Sequence, residues 1–344
     1  MINLKQFFNP KMCGLAFLVS MQLSIGGCTA IYKGTGDIIL AAVEDVTVPY
    51  VLSTDDAEMQ CAVSEGFIPF LYSFGRITAD PEKLGIMLAY LAGTCEEAKA
   101  TEEELRYLRA LKTKNVLEAK DARIAQKRHL AKAATRQLAG YQKLVSVFGD
   151  PGGECLKFEY ESQDEIYYLI GLLDGILAIL NDVASETTAN VPLDIAAKIS
   201  RAAGCLDNER WWGVPGALQA AIWSTLPSSK PEGANIARVL NRSVKMGLKQ
   251  GVRTVLIFEA IVYLGQGDTE QVKEVIRKHA KALVKTPSEP TMLALDTAAR
   301  VMLLAISDRL WTEATGTRTP IGAYGTFWDD DQDEEEAIDI DDLL

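Results

Sequence analysis

Residues 80–98 read DPEKLGIMLAYLAGTCEEA, and their reading decides the fold. Proline lacks a backbone N–H and holds φ near the helical value, so Pro81 suits a first helical position. Leu84, Met87, Leu88 and Leu91 recur at i, i+3, i+4 and i+7, the apolar stripe of a helix running to about Ala98. Upstream, Asp55-Asp56-Ala57-Glu58 places carboxylates at the positive end of another helix, which extends to about Phe74 before Gly75. Two helices joined by a short turn lie antiparallel. Cys61 lies 17 residues before position 78 in that turn and Cys95 lies 17 after it, so the two thiols face each other.

Working outward, the pattern stays helical. Thr101-Glu102-Glu103-Glu104 reads as a helix start, and good helix formers continue to about Phe148 as one long helix or two. That stretch is dense in Lys and Arg from Arg106 to Lys143. It is either a basic surface for anionic lipid or an acidic partner, or a solvated face offset by Glu118, Asp121 and the acidic C-terminal tail. Asp164 to Ala184 is apolar on most faces and is expected at the centre. Asp174 inside it is either a carboxylate facing a cavity or a locally hydrogen-bonded one. Pro192 opens a shorter helix to about Gly204. Two helix pairs follow, Val214–Leu226 with Glu232–Met246 and Gly251–Leu264 with Thr269–Val284, offset by about 37–39 residues and close to the tetratricopeptide period. A final helix spans Ser288 to about Trp311. The expected fold class is all-α, with helical hairpins stacked in a TPR-like α-solenoid or bundle over residues 55–315.

The N-terminus carries a different signal. Residues 1–27 contain Lys5 and Lys11, no acid, and about 14 largely apolar residues from Met12 to Ile25. A spanning helix needs ~20 apolar residues, whereas a secretory signal needs 7–15. Ile25-Gly26-Gly27-Cys28 resembles the bacterial lipobox, which implies cleavage before Cys28 and acylation of its thiol and new amine. The alternative is an ordinary signal peptide or an uncleaved anchor with an incidental cysteine. Thr29 in place of Asp favours the outer membrane by the Gram-negative sorting rule, so the expected location is periplasmic. Residues 28–54 are expected to be a tether. In an exported chain Cys61, Cys95, Cys155 and Cys205 suggest two disulfides. The hairpin geometry gives Cys61–Cys95 and, by elimination, Cys155–Cys205.

Loss of residues 1–27 removes two lysines and takes the formal charge from −12 to −14. Ten acidic residues and no basic one lie in Trp328–Leu344, so the acidity belongs mostly to the tail. Residues 316–344 are expected to be a Gly-rich extension followed by a disordered acidic tail. Nothing in the charge supports nucleic-acid binding. No hydrolase, Walker A or paired-cysteine metal pattern occurs, and only His129 and His279 are present, so neither an enzyme, a cofactor nor a metal site is expected. Trp211-Trp212-Gly213-Val214-Pro215-Gly216 precedes a helix carrying Trp223, while Tyr167 and Tyr168 begin the apolar helix. Aromatics beside Gly and Pro can line an apolar ligand site, or simply form core. The candidate ligand-binding residues are therefore Trp211, Trp212, Trp223, Tyr167 and Tyr168.

These stretches together resemble the T component lipoproteins (TatT) of tripartite ATP-independent periplasmic (TRAP) transporters. The likeness runs through Cys28, Asp56–Tyr72, Asp80–Leu84, Leu88–Tyr90, Ala131–Leu144, Tyr168–Asn181, Asn190–Leu226 and Leu303–Trp311. Residues 101–130 and the acidic tail depart from it. The resemblance implies a non-catalytic helical lipoprotein that oligomerises as trimers, partners a solute-binding protein and holds an apolar ligand. A second reading from the same features is an envelope scaffold lipoprotein that binds peptide segments in TPR-like grooves.

Overall fold

The structure, a computed structural model, describes residues 32–75, 81–159 and 163–330. The expected signal peptide and lipobox with Cys28, and the tail from 331, lie outside those residues. Among the described residues there are eleven helices and no strand, so the protein is all-α.

Helix α1 covers residues 32–52, with a π-helical turn over Val43–Thr47. The expected tether is thus mostly helical, and its Val43, Val48 and Val51 are buried. Valines at this spacing put one apolar stripe on the body, which a solvated linker would lack. Helices α2 (Ala57–Phe74) and α3 (Glu82–Lys112) form the expected hairpin. The Asp56 side chain accepts a hydrogen bond from Met59 N and caps α2. The structure joins Cys61 to Cys95 across this hairpin, with Cα atoms 5.5 Å apart. It joins Cys155 to Cys205 with Cα atoms 5.3 Å apart.

One boundary moves. The helix start expected at Thr101 lies inside α3, where the Thr101 hydroxyl bonds back to the Glu97 carbonyl at 3.0 Å. A cap signature without a preceding Gly or Pro does not stop a helix that is already propagating. The break comes instead at Lys114, which takes φ +57°, and Asn115 caps α4 (Val116–Phe148) by accepting from Glu118 N.

Helix α4 packs along α3, and α5 (Asp164–Ala184) packs on both. The apolar window of α5 is 83% buried, so α5 is a core helix although its length and composition would let it cross a membrane. Helices α6 (Ile195–Ala203), α7 (Val214–Thr225), α8 (Ile236–Gln250), α9 (Val255–Gln266) and α10 (Thr269–Lys285) continue the array, α7 packing on α6, α8 and α9. Helix α11 (Leu293–Thr315) then returns against α2 and α3.

The Gly-rich extension is docked rather than loose. Phe327 joins Val272, Ile276 and Leu310 in a small second core. Tyr324 Oη meets Nδ1 of the buried His279 at 2.8 Å. Lys273 pairs with Asp329 at 2.5 Å, and Arg277 pairs with Asp330. The first acids of the expected tail therefore lie on α10.

Candidate functional site

Because α11 folds back on α2 and α3, a cleft of about 400 Å³ remains between them. Apolar walls come from Leu52 of α1, Met87 and Leu91 of α3, and Leu295, Val301 and Leu304 of α11. The stretch Pro290–Thr315 is apolar enough to cross a membrane, yet its apolar window is only 39% buried. That exposed apolar face is the cleft wall. Tyr90 and Met302 line this cleft and also a narrower pocket of about 40 Å³ on their other side. The narrow pocket is bounded by Leu173, Ile176 and Leu180 of α5, Ile222 of α7 and Ile257 and Phe258 of α9. Tyr90 and Met302 thus stand between two apolar chambers.

The polar part of the cleft is built where α3, α4 and α5 cross. Gly93 lets α4 approach closely, since a Cβ there would lie 2.5 Å from the Gln137 side chain. Gln137 Nε2 donates to Glu97 Oε1 at 2.9 Å, and Asn181 Nδ2 donates to the same oxygen. Asn181 also donates to Gln137 Oε1 at 2.8 Å. Gln137 and Asn181 are buried. Glu97 lines the cleft and is half-buried. Desolvation pushes its carboxyl up, and the two amides only partly oppose that. One heptad back along α5, Asp174 is fully buried, and neither carboxylate oxygen has a hydrogen-bond partner. Burial, with Glu97 adding to it, holds the Asp174 carboxyl well above the usual carboxylate range. Among the described residues no cation pairs with Glu97 or Asp174, a sharp contrast with Glu96 next door. Glu96 is also buried, but hydrogen bonds from Lys132, His129 and Lys99 outweigh its desolvation and take its carboxyl down to about 2.

At the outer rim Arg318 of the extension pairs with Glu102 of α3, and Asp308 accepts from Thr319 N at 3.1 Å. The extension thereby closes one side of the cleft.

The aromatic residues expected to line a ligand site are placed differently. Trp211, Trp212, Trp223 and Tyr168 are buried in the core and border neither chamber. Trp212 and Gly213 both take left-handed backbone angles, φ +53° and +83°, making a tight turn into α7. Gly213 sits so close to α8 that a Cβ would lie 2.3 Å from the Ser243 carbonyl. The Trp-Trp-Gly-Val-Pro-Gly run is therefore a turn packed between helices, with the Trp rings edge to face at 5.4 Å. Trp223 donates Nε1 to Ser200 Oγ at 2.8 Å, and Tyr168 packs edge-on against Phe148 at 5.6 Å. Of the five, Tyr167 borders a hollow of about 440 Å³ with Val48, Tyr50 and Met292, which shares Leu52 and Met87 with the cleft.

No known protein family, curated protein or solved structure matches the chain.

Proposed function

We propose that the chain is a lipid-anchored periplasmic accessory subunit of a TRAP-type uptake system, non-catalytic, which docks a solute-binding protein and holds an apolar ligand. The observation that carries this reading is the apolar cleft between α3 and α11, continuous in its lining with a second chamber at Tyr90 and Met302. A mostly apolar concavity with few convergent polar groups is the usual form of a small-molecule site. The hairpin array of α7 to α10 supports a TPR-like solenoid as the scaffold that presents this cleft. The lipobox supports anchoring at Cys28 on the periplasmic face of the outer membrane, and the family resemblance supports a trimer.

The test is gentle detergent extraction of the native protein, followed by mass spectrometry of co-purifying proteins and small molecules. A TRAP solute-binding protein and an apolar ligand in stoichiometric amount are expected. Recovery of neither, with the fold intact, sinks the reading.

A further inference from the structure

The charges around the cleft are one-sided. Its lining includes Glu58, Glu97, Glu102 and Asp308 but a single cation, Arg318, and that cation is already bound to Glu102. A negative concavity with low-dielectric walls concentrates cations and rejects anions.

The geometry at Glu97 narrows the chemistry further. Both amide donors, from Gln137 and Asn181, converge on Oε1. No donor among the described residues reaches Oε2, although the residue lines the cleft. Gln137 and Asn181 are themselves buried and bonded to each other, so the carboxyl is held in one orientation. A carboxylate fixed through one oxygen, with the other open to an apolar space, lacks a donor that a ligand can supply.

We infer that the cleft takes an amphiphile with a cationic, hydrogen-bond-donating head, an alkylammonium type, whose head binds Oε2 of Glu97 and whose apolar tail lies along Met87, Tyr90 and Met302. This inference rests on the cleft being a ligand site at all. It names the class of ligand: alkyl chains ending in a primary or secondary amine bind, and the corresponding carboxylates do not. The tail runs past Tyr90 and Met302 toward the narrow chamber, which is lined only by apolar groups apart from Tyr90, Thr225 and Thr254.

The experiment uses the full chain in lipid nanodiscs, with empty nanodiscs as blanks, and isothermal titration calorimetry at pH 7. Octylamine, octanol and octanoate share one tail and differ in the head. Octylamine is expected to bind at least tenfold more tightly than octanoate, with octanol between them. Glu97→Gln is expected to lower octylamine affinity about tenfold and leave octanol nearly unchanged. Octanoate binding as tightly as octylamine overturns the inference, as does an unchanged preference in Glu97→Gln. If that variant does not fold, the comparison of heads on the unmodified chain decides alone. Failure of all three probes to bind overturns the ligand site itself, which separates the two readings.

Discussion

Gly140 and Asp174 meet where α4 crosses α5, so closely that a Cβ on the glycine would stand 2.1 Å from Asp174 Oδ2. The same Cβ would come within 2.9 Å of the Ala89 Cβ on α3. Three helices thus share one point where only a hydrogen fits. Gly140→Ala gains helix propensity but must push α3 and α5 apart, and overpacking of this kind costs about 1–3 kcal/mol. Urea unfolding should show a lower midpoint with an unchanged slope. A midpoint equal to that of the parent would mean that the crossing is looser than described.

Asp174 makes stability depend on pH in a definite sense. Its folded carboxyl titrates well above the unfolded value because of burial, with Glu97 contributing. The folded state therefore holds a proton that the unfolded chain releases above pH ~4, and stability from this group declines as pH rises through that interval. Asp174→Asn removes the decline. The variant should unfold at higher urea than the parent at pH 8, and the two should converge toward pH 4. Equal midpoints at pH 8 would show that Asp174 is not held protonated.

Glu97 gives ligand binding a pH dependence of its own. Its carboxyl is pushed up by desolvation, so at low pH the cleft presents a neutral acid. An ammonium head prefers the ionised form. Octylamine affinity should therefore rise between pH 4.5 and 7.5, while octanol affinity stays flat. Parallel curves for the two would remove Glu97 as the receiving group.

The two disulfides close segments with separations of 34 and 50 residues. In the chain-entropy model each contributes about 4 kcal/mol. Cys95 is buried, whereas Cys155 lies on the surface, so a mild reductant should open Cys155–Cys205 first. Alkylation and mass spectrometry read the order directly, and Cys61 or Cys95 labelled first would contradict it.

Cys28→Ser removes the thiol that the lipobox reading requires. Expression with radiolabelled palmitate should give an uncleaved, unlabelled precursor. Normal cleavage and labelling of the variant would end the lipoprotein proposal.

Local signals in the sequence carried much of the fold and little of the site. The starts of α7 and α10 follow from Gly-Pro and Asp punctuation, whereas α8 and α9 begin at Ile236 and Val255, four residues after the expected Glu232 and Gly251, because Asn235 supplies the α8 cap and Gly251 ends α8 rather than opening α9. The Cys61–Cys95 pairing follows from counting residues about one turn. The cleft is different. Glu97, Gln137 and Asn181 come from three helices, and no spacing along one chain announces their meeting. A weak signal existed: Tyr90 and Glu97, like Asp174 and Asn181, are polar residues one heptad apart in apolar helices, which places each pair on one face. The tryptophans misled because Gly and Pro beside an aromatic residue mark either a concavity or a tight turn. Trp212 at φ +53° is the turn.

The bond between Arg318 and Glu102 joins residues 216 positions apart, and Lys112 reaches the Ala314 carbonyl across 202. During synthesis, the α2–α3 hairpin emerges long before α11 does. Until then the greasy wall at Met87 and Leu91 has no opposite side, and non-local closure of this kind is slow. The nascent chain thus passes through a period when one wall of the cleft is bare to water.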